Sequence, residues 1–142
     1  MKDASTIANA FLKLSRPEIG DCITNLKLQK LLYYAQGFHL ALRGRPLFNE
    51  DILAWEYGPV VKDVYKKFSK YGGNAIPSPK GGVVLDVNEK KIITGVWKIY
   101  GQFSAWKLKD MTHSERPWKE TDRNEVISRE TLKSFFSDLI TN

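Results

Sequence analysis

Thr24-Asn25-Leu26-Lys27-Leu28-Gln29-Lys30-Leu31-Leu32-Tyr33-Tyr34-Ala35-Gln36-Gly37-Phe38-His39-Leu40-Ala41-Leu42-Arg43-Gly44 is the stretch that decides the fold. Leu28, Leu31, Ala35, Phe38 and Leu42 recur three or four residues apart, which puts them on one stripe of an α-helix facing a core. Thr24 suits the N-cap, where its hydroxyl can accept a hydrogen bond from a first-turn N–H. Ile23 and Leu28 stand on either side of it, at the two positions of a hydrophobic staple. Gly44 supplies the stop, since a helix commonly ends on a residue that tolerates left-handed backbone. The spacing predicts one long helix from Thr24 to about Arg43.

The same grammar reads outward in both directions. Ile7, Phe11 and Leu14 form a short first helix that ends at Arg16-Pro17, because a proline disfavours helical backbone in the residue before it. Asn88, with Val87 and Ile92, reads as the start of a helix running to about Phe103. Its broad apolar face of Ile92, Ile93, Val96, Trp97, Ile99, Tyr100 and Phe103 makes it a partner of the long helix at the centre of the core. Ser128, with Ile127 and Leu132, starts a last helix that turns Phe135, Phe136 and Leu139 inward. Ser104 caps a shorter helix through Leu108 and Met111. Leu53, Trp55 and Tyr57 alternate with Ala54 and Glu56, the period of a half-buried strand, and Val83 to Val87 reads as a second. Gly58-Pro59 reads as the opening of a third helix, with proline at its first position and Val61, Val64, Phe68 and Tyr71 inward, closed by Gly72-Gly73. The expected fold is mainly α: a compact helical domain of about six helices with a small two-stranded β element.

Composition limits the function. The 142 residues, 42% hydrophobic and 27% charged, are enough for one domain spanning 1–142 that withdraws roughly 70% of its surface from water. With 22 Lys and Arg against 16 Asp and Glu, the net charge of +6 favours acidic partners, protein or nucleic acid. The lone Cys22 offers no internal disulfide. The first fifteen residues are broken by Lys2, Asp3, Asn9 and Lys13, unlike a signal peptide, and no later run has the length and apolarity of a membrane span. The expected setting is the cytoplasm, with no membrane partner.

No catalytic constellation is visible. Two histidines and one cysteine give no zinc spacing, so no metal or other cofactor is expected, and Gly81-Gly82 lacks the Lys-Ser/Thr ending of a phosphate loop. His39 lies beside the buried stripe and reads as a packed, hydrogen-bonded imidazole. Lys62, Lys66 and Lys70 line one face of the third helix, a solvated face or a phosphate-binding stripe. Met111 to Trp118 is the most unusual run. Its helix ends near His113, where the helix dipole favours a protonated imidazole, and Ser114, Glu115 and Pro117 suit a tight turn. One reading is a loop stapled by Trp118, with His113 and Glu115 satisfying backbone groups. The other presents His113, Glu115 and Trp118 to a partner. An acid–base role for His113 with Glu115 has no substrate pocket behind it. Tyr33 and Tyr34, being adjacent on a helix, are not expected to face the same side; Tyr34, Tyr57 and Trp118 are candidate interface anchors, with burial as the rival for each.

Leu28-Gln29-Lys30-Leu31-Leu32-Tyr33-Tyr34-Ala35-Gln36-Gly37, Trp55-Glu56-Tyr57-Gly58-Pro59-Val60, and Met111-Thr112-His113 followed by Pro117-Trp118 stand in that order. Together they resemble the Panacea, or SocA-like antitoxin, domain of phage-associated proteins. The resemblance runs from the first helix through Trp118. It implies a helical domain of bacteria and their phages, encoded beside a toxin and neutralising it without catalysis. Most members are thought to bind the toxin directly, whereas the founding type hands its toxin to the ClpXP protease as an adaptor. The resemblance makes Leu28, Lys30, Leu31, Trp55, Gly58, Pro59, Thr112 and Pro117 motif residues of the frame. It adds Arg116 to the partner-facing candidates, because relatives often carry a small or acidic residue there. A basic nucleic-acid-binding regulator is the alternative.

Overall fold

The computed structural model describes residues 1–141, and its element boundaries follow the capping chemistry of the sequence. Helix α1 spans Ala4–Leu14, with the Asp3 carboxylate accepting from the Thr6 N–H. Helix α2 spans Asn25–Arg43 between the Thr24 cap and Gly44, whose φ of 76° gives the left-handed stop. Strands β1 (Leu53–Trp55) and β2 (Gly58–Val60) form an antiparallel hairpin with Leu53 opposite Val60. Helix α3 (Lys62–Phe68) runs into a 3-10 turn over Ser69–Tyr71. Helices α4 (Val87–Tyr100), α5 (Ala105–His113), α6 (Arg116–Lys119) and α7 (Arg129–Thr141) follow. The described residues thus make a mainly α fold with one small sheet.

Helix α2 is the axle. Fourteen of its nineteen residues are buried, around its whole circumference and not along a single stripe. Leu42, expected inside, is exposed because the helix has run past the core by its last turn. The partner that lies closest along α2 is α7: the Phe136 ring fills the space where a side chain on Gly37 would begin. Helices α1, α3, α4 and α5 complete the surround.

So much burial forces the polar side chains of α2 to find partners inside. Each one pins a different peripheral segment. The Gln36 amide accepts from the N–H groups of Leu47 (2.7 Å) and Phe48 (3.2 Å) and donates to the Phe48 carbonyl (2.9 Å). Gln29 accepts from Val61 N–H at 2.9 Å, and Asn25 donates to the Tyr65 carbonyl at 3.0 Å. Lys27 donates to the Gly101 carbonyl at 2.6 Å, and His39 Nδ1 lies 2.6 Å from the Arg45 carbonyl.

Four expectations from the sequence are corrected. Helix α4 is capped by Asp86 and not by Asn88: Asp86 and Glu89 form a reciprocal capping box, and Val87, assigned to a staple, is exposed. Ile99 of α4 also faces solvent, so its buried face is the narrower Ile92, Ile93, Val96 and Tyr100 set. Residues 83–86 form no strand. Gly58-Pro59 belongs to β2, not to a helix start. Gly58 has a φ of 110°, which directs the chain back along β1 and leaves α3 to begin at Lys62. A segment from further along lies beside β1: Ala54 N–H donates to Glu125 and its carbonyl accepts from Asn124, while Ile127 N–H donates to Ile52. This segment covers the outer edge of β1.

Gly37 and Gly95 make opposite predictions. A methyl group on Gly37 has to displace the Phe136 ring, so Gly37→Ala should lower stability by about 2 kcal/mol or more. Gly95, in mid-helix α4, has nothing within 4 Å of a Cβ, so Gly95→Ala should raise it by roughly 0.5–1 kcal/mol through helix propensity. Urea denaturation of the two variants checks both signs.

Candidate functional site

Helix α5 starts on the Ser104 cap and ends at His113, and α6 begins three residues later with Pro117 in its first turn. Glu115, between them, does not cap α6 with its side chain. Its carboxylate turns inward and accepts from the hydroxyls of Tyr33 (2.9 Å) and Tyr34 (3.0 Å). The two adjacent tyrosines therefore converge, contrary to expectation, and both are fully buried. Their backbone directions differ by a helical step, but each phenol reaches far enough for its tip to meet the same acceptor, the rings standing 5.0 Å apart at 71°. Tyr34 also stacks on Tyr100 of α4 at 3.9 Å. Burial pushes the Glu115 carboxyl up to about 7, against the two phenol donors that favour its ionised form, and pushes both phenols up as well.

On the neighbouring side, the His113 and Trp118 rings stack at 3.8 Å and 7°. Trp118 donates from Nε1 to the Trp55 carbonyl at 2.8 Å, fastening α6 to the hairpin, and the Arg123 guanidinium lies 3.7 Å from its ring centre. His113 is held below its ordinary value, by desolvation first and then by Lys109, Lys30 and Arg123. Desolvation and these neighbours work against the protonated imidazole expected at the end of α5. Its Nε2 is buried without a hydrogen-bond partner among the described residues. Lys30 is completely buried and donates to the Pro59 carbonyl at 3.0 Å; burial pushes it down to about 7. Gly58 fits against it so closely that a Cβ there would lie 2.6 Å from Lys30 Cε and 3.0 Å from Thr112 Oγ1.

The three sequence motifs thus meet in one knot, with Leu28 and Leu31 in the core beneath and Pro117 buried above. Among the described residues the side chains of His113 and Glu115 bond neither to backbone nor to each other, so the acid–base pairing is not assembled. Of the residues proposed to face a partner, Tyr34 is wholly internal. Trp118 is half-buried and held from the hairpin. Arg116 is exposed and ion-paired with Asp138 of α7 at 3.0 Å.

The open surface lies elsewhere. A groove of about 810 Å³ runs between the start of α2, the hairpin, the end of α3 and the start of α5. Four aromatic rings line it. Trp106 is 59% exposed and Tyr57 54% exposed, and they meet edge to face at 6.1 Å; Trp55 and Tyr65 make a second such pair at 5.2 Å. The sequence singles out Tyr57 as a candidate but passes over Trp106. Its signal was present: Trp106 precedes the inward Leu108 by two residues, about half a helical turn, and so points outward.

A family described as "Antitoxin SocA-like, Panacea domain" matches residues 28–119, the span that holds all three motifs. The chain belongs to this family. It is also 48% identical over 130 residues to Antitoxin SocA of Caulobacter vibrioides (strain NA1000 / CB15N), an alignment covering 82% of this chain and 68% of the relative. No solved structure matches. In this SocA-like chain the described residues contain no helix long and apolar enough to cross a membrane, and no group of three His, Cys, Asp or Glu side chains that could hold a metal.

The buried Lys30 and the half-buried Glu115 give this chain a distinct pH profile. The Glu115 value in the fold lies above its ordinary 4.5, so its contribution is full below that pH and lost as pH rises through about 7. The Lys30 value lies below its ordinary 10.5, so its burial penalty is full below about 7 and relieved towards 10.5. Stability should pass through a minimum near neutrality. Glu115→Gln should flatten the acid limb, worth about 3 kcal/mol at most, and Lys30→Met the alkaline limb. Urea midpoints measured across pH test this, and a flat wild-type profile would contradict it.

Proposed function

We propose that this chain is an antitoxin that neutralises a cognate toxin, the product of a neighbouring gene, by direct binding through the aromatic groove. It acts as one domain in the cytoplasm, and no bond is made or broken. The relationship to Antitoxin SocA supports the role. The observation that carries the mode is the exposed Trp106 and Tyr57 pair on a frame whose motif side chains Lys30, Tyr33, Tyr34 and Thr112 are turned inward. Tryptophan and tyrosine dominate interface energetics because they contribute large area with few rotatable bonds and keep a polar tip. Here they project from rigid elements, the hairpin turn and the first turn of α5, so little conformational freedom is lost on docking.

Direct binding is the step shared by sequestration and by delivery to ClpXP. The motif residues Lys30, Gly58, Thr112 and Trp118 act in it by fixing the frame, whereas Tyr57, Trp106 and the exposed Arg116 meet the partner. His113 and Glu115 serve beneath that surface as positioning residues, and Tyr34 does the same.

Co-expression with the neighbouring open reading frame is the test. Growth should be rescued and the two proteins should co-purify. Trp106→Ala combined with Tyr57→Ala should weaken the complex by roughly 30-fold or more, the scale of two hot-spot truncations, while leaving thermal stability nearly unchanged. A neighbour that is harmless, or toxic but unbound, would overturn the assignment.

A further inference from the structure

The net charge of +6 is not spread evenly. Residues 62–98 hold eight lysines and three acids, a balance of +5 that accounts for nearly all of it. One of those acids, Glu89, is buried in its own capping box and paired with Lys2 at 2.8 Å. The segment forms α3, the following loop and α4. Helix α1, which contacts both helices and carries no acid within its span, adds Lys13. Lys62, Lys66, Lys67, Lys70, Lys80, Lys90, Lys91, Lys98 and Lys13 are all exposed.

Within this basic region lies a groove of about 380 Å³ between the end of α1, the first half of α4 and the loop before it. That volume is near the lower end of ligand clefts, roughly 300–1,000 Å³. Its floor is aliphatic, from Leu14, Val83, Leu85 and Ile93, and the only charged residues lining it are Lys13 and Lys90. Val84 and Val87 beside it are 83% and 69% exposed. Gly81 and Gly82 line one wall with nothing within 4 Å of either Cβ position, so backbone is open to close approach. The groove shares no lining residue with the aromatic one.

We propose that the α1–α4 groove is a second docking surface, which takes an acidic segment of a partner protein anchored by aliphatic side chains. The lysines attract and orient the segment, and the floor gives its apolar residues a place out of water. Nucleic acid fits less well. The groove has no aromatic platform on which bases could stack, the whole 62–98 stretch contains no arginine, and a phosphate backbone would leave the aliphatic floor uncovered. The inference stands apart from the antitoxin reading, because it concerns a different face and is tested without the neighbouring gene product.

The probe is a labelled synthetic peptide of about twelve residues, long enough for a groove-binding motif, that alternates acidic residues with leucine. A counterpart has every leucine replaced by serine, and a duplex DNA and a single-stranded RNA of equal charge serve as rivals. Fluorescence anisotropy should give a Kd of roughly micromolar order for the leucine peptide. Lys13→Glu with Lys90→Glu should weaken it at least roughly 10-fold, a loss of about 1.4 kcal/mol. Lys119→Glu with Lys133→Glu, on α6 and α7, should leave it unchanged. All four lysines are exposed, so both variants should keep the wild-type circular dichroism. Absence of peptide binding would overturn the proposal. So would equal affinity for the serine counterpart, or nucleic acid binding more tightly through Lys13 and Lys90.

Discussion

Burial on every side of a helix that carries many polar side chains is the constraint from which the rest follows. An amphipathic helix can leave its polar face in water. Helix α2 cannot, because α7 covers it at Gly37 and α1, α3, α4, α5 and β2 cover most of the remainder. Each buried amide or ammonium would then cost free energy unless bonded. Asn25, Lys27, Gln29, Lys30, Gln36 and His39 all meet a main-chain group of some other segment. The loops are thus held at specified points along one rod, which explains how a fold with two three-residue strands for a sheet fixes its irregular segments.

Lys30 is the extreme case. Its ammonium group is out of contact with water and has one hydrogen bond, to Pro59, with no carboxylate beside it. A lone buried charge is unfavourable enough that the group gives up its proton more readily instead. The space it needs is left by Gly58, which lacks a side chain and adopts the positive φ that the turn into β2 requires. Lysine and glycine therefore depend on each other across 28 positions of sequence, and Thr112 closes the same contact from α5.

The parts legible in the sequence were those written in short-range chemistry. The Thr24 cap and Gly44 stop of α2, the Ser104 cap of α5 and the Ser128 bond to Thr131 N–H at the head of α7 all depend on residues within a few positions of each other. Misreadings arose where two local signals competed. Asp86 and Asn88 both suit a cap, and the reciprocal bond with Glu89 decided for Asp86. Proline after glycine suits either a helix start or a hairpin, and pairing with β1 decided for the hairpin. The convergence of Tyr33 and Tyr34 on Glu115 was beyond local reading, because it depends on contacts more than 80 residues apart. For the same reason the inward burial of Lys30 and Tyr34 and the outward Trp106 were not legible.

The hairpin's flanks also bear on the manner in which partners can attach. Residues 124–127 occupy the outer side of β1, and on the side of β2 the Gln29 and Lys30 side chains take the Val61 N–H and Pro59 carbonyl. An unclaimed row of main-chain donors and acceptors is what invites a foreign strand to extend a sheet. This little sheet offers none at those positions. What the hairpin presents outward is therefore side chains, which can be exchanged one by one without disturbing the ladder, whereas a scaffold that recruited partners by strand addition would tie its specificity to its own backbone.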